Sequence, residues 1–166
     1  PEGYEQLYAH PLQKPIRIDG RNNDWEEVLE YSIGFGNLDI KEPTNPGLNQ
    51  FNLALGEHND QIYALVTVKD ENLVFRDRNI LRLDLSDHLR ITFTGQDETV
   101  KRVTLTMTEP GVTTAYLIDD DWRYAIQGEP ENRIPGFMAI KEEGYAVEFR
   151  IPLELLGSSR QFGLAV

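Results

Sequence analysis

Apolar residues recur at every second position through most of this chain, and short turn-forming clusters separate the runs. That combination commits the chain to β-strands joined by tight connections. Phe51, Leu53 and Leu55 fall on one face of a strand. Leu89–Phe93 alternates with Arg90 and Thr92 directed outward, and Val103–Thr108 sets its threonines toward solvent, where β-branched side chains suit a pleated sheet. Tyr145, Val147, Phe149 and Ile151 point one way while Ala146, Glu148 and Arg150 point the other. Ile62–Val68 is instead almost continuously apolar and reads as a central strand covered on both faces.

The connections are short. Gly56–Asp60 joins the first two strands, Thr94–Glu98 and Glu109–Gly111 flank the threonine-rich strand, and Lys141–Gly144 links Phe137–Ile140 to Tyr145–Ile151. Parallel pairing needs a crossover of about a dozen residues, so these turns predict antiparallel hairpins. The fold class that follows is all-β: an antiparallel, jelly-roll-like β-sandwich with one or two short helical turns. Those turns are expected over Asn23–Leu29, with Asn23 or Asp24 as N-cap, and at Pro152–Gly157, which has Pro at its start and Gly at its end. Residues 36–49 and Asp119–Pro135 read as long loops, the second interrupted by Trp122 and Tyr124. Residues 1–14 form an N-terminal extension and residues 15–166 the sandwich domain.

Composition narrows the function classes. A chain of 166 residues suits one core. With 28 acidic against 16 basic residues its formal charge is −12, a surface that repels nucleic acid and anionic membranes. There is no cysteine, which removes thiolate nucleophiles, disulfides and Cys-based metal sites together. No apolar run reaches the roughly 18 to 20 residues that span a bilayer, and no signal peptide opens the chain. The first residue is Pro1 rather than Met, which fits a piece excised from a longer protein.

Three elements carry a resemblance. Pro15-Ile16-Arg17-Ile18-Asp19-Gly20 followed by Asp24-Trp25 opens the domain; Ile62–Val68 with Asp70, then Ser86–Ile91, occupies its middle; and Tyr145–Gly157 closes it with E-x-x-I-P-L-x-x-L-G. In this order they resemble the β-sandwich family typified by family 9 carbohydrate-binding modules and their DOMON-like relatives. Leu7–Leu12 leading into the same opening, with Phe75-Arg76-Asp77 later, is similar to the extracytoplasmic part of proteobacterial sensor histidine kinases associated with dedicated sortase systems. The resemblance implies a sensor domain in the periplasm, part of an inner-membrane protein, with the kinase chemistry elsewhere. A carbohydrate-binding module of a secreted glycan-active protein is the alternative, and an adhesion or assembly domain with a protein partner is the third. Whether the domain forms a homodimer stays open.

The candidate ligand-binding residues are Asp120, Asp121, Trp122, Arg123 and Tyr124, in a polar stretch that also holds Asp119. Aromatic faces stack on the apolar faces of sugars while carboxylates and guanidinium groups bond the hydroxyls. The competing reading is aromatics that merely cover the sandwich edge. Trp25 is expected to pack in the core, plugging one end of the sandwich. Asp119–Asp121, or Asp84 with Asp87, offer oxygens to calcium but lack the spacing of an EF-hand loop, so no metal is expected. His10, His58 and His88 are far apart, and Met107 and Met138 sit on strands, where they fill core; no haem or other cofactor is expected. Neither a nucleophile elbow nor a phosphate-binding glycine loop is present, and the domain is expected not to be an enzyme.

Overall fold

A computed structural model describes residues 7–33 and 51–166. The predicted loop at 36–49 lies outside the described residues. The strands, in chain order, are β1 (His10–Pro11), β2 (Glu30–Ile33), β3 (Phe51–His58), β4 (Gln61–Lys69), β5 (His88–Thr94), β6 (Val100–Thr106), β7 (Gly111–Val112), β8 (Thr114–Ile118), β9 (Ala125–Pro130), β10 (Gly136–Lys141), β11 (Gly144–Pro152) and β12 (Phe162–Ala165). They form two sheets. The seven-stranded sheet runs β1-β3-β4-β11-β10-β7, with β2 also on β3, and the five-stranded sheet runs β9-β8-β6-β5-β12. The chain is therefore an all-β sandwich, antiparallel except where β1 pairs in parallel with β3.

The inner faces make the core. Leu53, Leu55, Ala64, Val66, Met138, Val147, Phe149 and Ile151 from one sheet meet Leu89, Ile91, Phe93, Val103, Leu105 and Ala115 from the other. Every second residue supplies this layer, as the sandwich geometry requires. Met107 and Met138 lie inside it. As its sequence implies, β4 is central, paired to β3 on one side and β11 on the other. Asn59 and Asp60 both take positive φ, 47° and 61°, which makes the β3–β4 connection a two-residue turn of the twist-compatible kind.

Several elements differ from the sequence reading. The helical segment expected over Asn23–Leu29 shortens to one 3-10 turn, Asn23–Trp25, with no side-chain cap. Residues 125–130, expected as loop, form β9 on the sheet edge, with a register shift and positive φ at Gln127 and Gly128. After β6 the chain does not simply turn back. Its wide connection lends Gly111–Val112 to β10 in the opposite sheet before β8 returns to β6.

The outer face of the seven-stranded sheet is covered too. Ile16 and Trp25 pack on Ala54, Tyr63, Leu65 and Ala146 as a second apolar cluster. Glu148, on the face opposite Val147 and Phe149, is 1% exposed beneath this cover. Its carboxylate accepts hydrogen bonds from the Gly20 N–H at 2.7 Å and the Trp25 Nε1–H at 3.1 Å. Burial in that apolar layer pushes the Glu148 pKa up, against the pull of the two donors. Trp25 is buried, as expected, but it covers the outer face of the seven-stranded sheet rather than plugging one end of the sandwich.

Candidate functional site

The outer face of the five-stranded sheet gathers the chemistry. Because Leu89, Ile91, Val103, Leu105 and Ala115 point inward, the residues between them point out. Register then sets Arg90 on β5, Thr104 on β6 and Tyr116 on β8 as direct cross-strand neighbours in one row. The row beside it holds His88, Thr106 and Thr114. Two further elements reach over this face. Segment 70–87 brings Arg76, anchored through its N–H to the Met107 carbonyl, and the β8–β9 connection brings Trp122.

That connection is a built turn. The Trp122 N–H donates to the Asp119 carbonyl, and the Asp119 N–H donates to the Tyr124 carbonyl. The Asp119 carboxylate accepts the Arg123 N–H at 3.0 Å and lies 3.4 Å from that of Tyr124. Trp122 itself adopts φ 61°, a left-handed conformation that costs a non-glycine residue of order 1 kcal/mol. The turn brings the half-buried indole under the Arg90 guanidinium, whose Cζ lies 5.0 Å from the ring centroid. Arg76 does the same over Tyr116 at 5.1 Å, and its Nη1 donates to the Tyr116 hydroxyl at 3.0 Å. Two arginine–aromatic stacks thus stand on one sheet face.

A hydrogen-bonded chain fixes Arg90. Its Nε–H donates to His88 Nε2 at 3.0 Å, so the His88 proton sits on Nδ1, which donates to the Ser86 carbonyl at 2.6 Å. Burial, with the Arg90 charge adding to it, holds the His88 pKa below the usual imidazole range and keeps the ring neutral. Thr104 Oγ1 on this face, and Arg76 Nε and Ser86 Oγ in segment 70–87, are buried with no hydrogen-bond partner among the described residues. Thr104 is 0% exposed, and a buried hydroxyl left unpaired costs about 1–3 kcal/mol.

The five residues singled out in the sequence part company here. Trp122 joins the face. Asp120 lies beside it, in an exposed ion pair with Arg102 at 2.7 Å. Arg123 turns toward Asp84, 3.9 Å away, and Asp84 is already held by Arg82 at 2.6 Å. Tyr124 is 48% exposed, and Asp121 is exposed. The residues sequence reasoning missed are Arg76, His88, Thr104 and Tyr116, which only strand register and the course of segment 70–87 bring together. Outward Arg90 was the available signal.

The acidic groups considered for calcium are directed elsewhere. Asp119 faces backbone N–H donors, Asp84 faces two guanidinium groups, and Asp87 accepts the Val74 N–H. Among the described residues no three His, Cys, Asp or Glu side chains converge to hold a metal ion. Two open grooves lie away from this face. One of about 560 Å³ at the sandwich end is lined by Gln96, Leu153 and Gly157, and one of about 630 Å³ lies beside Phe51, Lys69 and Gly144. Neither combines an aromatic stack with unpaired donors. The chain matches no protein-family model, no curated protein and no solved structure.

Proposed function

We propose that this chain is an extracytoplasmic ligand-binding domain, the sensor of a bacterial two-component histidine kinase anchored in the inner membrane, and that it is not itself an enzyme. One observation carries the binding part. Two half-buried arginines with no carboxylate within ion-pair distance among the described residues share a sheet face with two aromatic rings, and a bound polar ligand would supply acceptors for their unused donors. The signalling part rests on the resemblance of the opening, middle and closing motifs. Ligand binding on a face built from segment 70–87 and the β8–β9 turn would favour one arrangement of those connections, and that bias is what a coupled kinase would read.

A carbohydrate-binding module of a secreted glycan-active protein is the second reading, favoured by exposed Tyr124 close to Trp122 in the same turn. Both readings predict ligand binding, and the parent reading frame separates them. Flanking membrane-spanning helices with a kinase core support the sensor, and a catalytic glycan-active domain supports the module. Binding itself is read by a thermal-shift scan against sugars, cell-wall fragments and calcium. A ligand at 100 times its dissociation constant adds roughly 2.7 kcal/mol, a midpoint rise of roughly 5–10 °C at this size. A flat scan would turn the account toward a protein partner.

A further inference from the structure

In a chain with 28 carboxylate side chains, the outer face of the five-stranded sheet leaves two half-buried guanidinium groups without one among the described residues. Its other arginines are balanced: Arg82 and Arg123 by Asp84, Arg102 by Asp120. Arg76 and Arg90 have no carboxylate within ion-pair distance among the described residues, and aromatic rings take its place. Of the five N–H donors a guanidinium carries, Arg90 uses one, on His88. Arg76 uses one, on the Tyr116 hydroxyl, and its Nε is buried without an acceptor. Between them in the same cross-strand row lies Thr104, fully buried, its hydroxyl unpaired. Adjacent strands are about 4.8 Å apart, so Arg90 and Tyr116 stand roughly 10 Å apart across this row.

We infer that this face takes a ligand with a carboxylate on a hydroxylated ring, a sugar acid of the uronic acid class. Arg76 and Arg90 receive the carboxylate, and the Trp122 and Tyr116 rings flank the sugar. The inference rests on the binding-domain reading above and narrows it. A carboxylate matches the planar donor fork that both arginines present, and its oxygens are the acceptors that the unused terminal N–H donors of Arg76 and Arg90 lack. The Tyr116 hydroxyl suits a ring hydroxyl, and the aromatic faces suit the C–H face of a pyranose. The net charge of −12 opposes every anion, the uronate included, so binding must come from the local donor fork rather than from the overall field.

The experiment titrates the full chain with sodium glucuronate and sodium galacturonate, with glucose and galactose as neutral counterparts and acetate as the bare carboxylate, by calorimetry or chemical-shift perturbation. The uronates are expected to bind, with neutral sugars and acetate weaker by about tenfold or more, since a hydrogen bond to a charged group carries that much. Arg90→Gln and Arg76→Gln are each expected to lower uronate affinity about tenfold. Lys69→Gln, in an exposed ion pair on the other sheet, leaves affinity unchanged. Neutral sugars binding as tightly as uronates, indifferently to both arginine variants, would overturn the inference and leave the binding domain standing. Acetate binding as tightly as the uronates would remove the sugar from it. Silence from every probe, with folded protein confirmed by circular dichroism, would overturn the inference and remove the principal support for a sugar-binding domain.

Discussion

Glu148 is the position where a single change reports on the whole architecture. Its carboxylate lies beneath the N-terminal segment and accepts two hydrogen bonds, from Gly20 and Trp25. Glu148→Ala leaves both donors unpaired and opens a void under the Trp25 ring. The Trp25 indole is buried, so its N–H loses about 2 kcal/mol; Gly20 is half-exposed, so water limits that loss to about 1 kcal/mol. The sum, about 3 kcal/mol, corresponds to a fall in melting midpoint of roughly 6–12 °C. Glu148→Gln keeps one acceptor oxygen and sets an NH2 against the other donor, for a loss of about 1–2 kcal/mol.

The pH dependence sharpens the test. Burial raises the folded-state pKa of Glu148 above its ordinary value. A raised carboxyl pKa means the folded state holds the proton more tightly than the unfolded chain. Its stabilising contribution is complete below about pH 4.5 and is lost as pH rises through the folded value. Glutamine does not titrate, so the gap between wild type and Glu148→Gln should be wider at pH 4.5 than at pH 7.5. Urea unfolding followed by tryptophan fluorescence at both pH values measures it. A Glu148→Ala cost below about 0.5 kcal/mol, or a Gln penalty that grows with pH, would refute the clamp.

Other expectations are more local. Trp122→Ala removes an exposed-face cation–π contact and should cost only about 0.5–1 kcal/mol, checked by thermal melting, while Trp25→Ala should cost about 3–5 kcal/mol as a core truncation. His88 should titrate below the usual imidazole range in an NMR pH series; because its folded value is depressed, the stability linked to it is present above about pH 6.5 and lost as pH falls through the folded value. The Asp97 carboxyl, bonded first by the Thr99 hydroxyl and then by Lys101, should titrate near about 2, and Thr99→Ala should move it upward. Gly144→Ala would drive a Cβ into the Val68 carbonyl across the β4–β11 ladder, and the variant should fail to yield soluble folded protein.

Period-two runs were enough to define β3, β5, β6 and β11, a continuous apolar run marked β4, and the turn at Lys141–Gly144 marked β10, because each of these is a local property of the chain. The Asn59-Asp60 turn and the Glu142-Glu143 turn were visible for the same reason. What local pattern did not carry was pairing across distance. Ala125–Pro130 lacks alternation and contains Gly128, and it becomes a strand through its partner β8. Glu148 reads only as a residue on the face opposite Val147 and Phe149 until the segment around Gly20, 128 positions earlier, closes over it. The candidate face shows the same limit. Trp122 was evident as an aromatic in a polar stretch, but its juxtaposition with Arg90, Thr104 and Tyr116 depends on the registers of three strands.

The central claim, that ligand is taken on the outer face of the five-stranded sheet, is tested most directly by amide chemical-shift mapping of the chain with a saturating hit from the sugar and cell-wall panel. Perturbations are expected to cluster at Arg76, His88, Arg90, Thr104, Tyr116 and Trp122. Perturbations confined to the groove at Gln96, Leu153 and Gly157, or to the one beside Lys69 and Gly144, would contradict it.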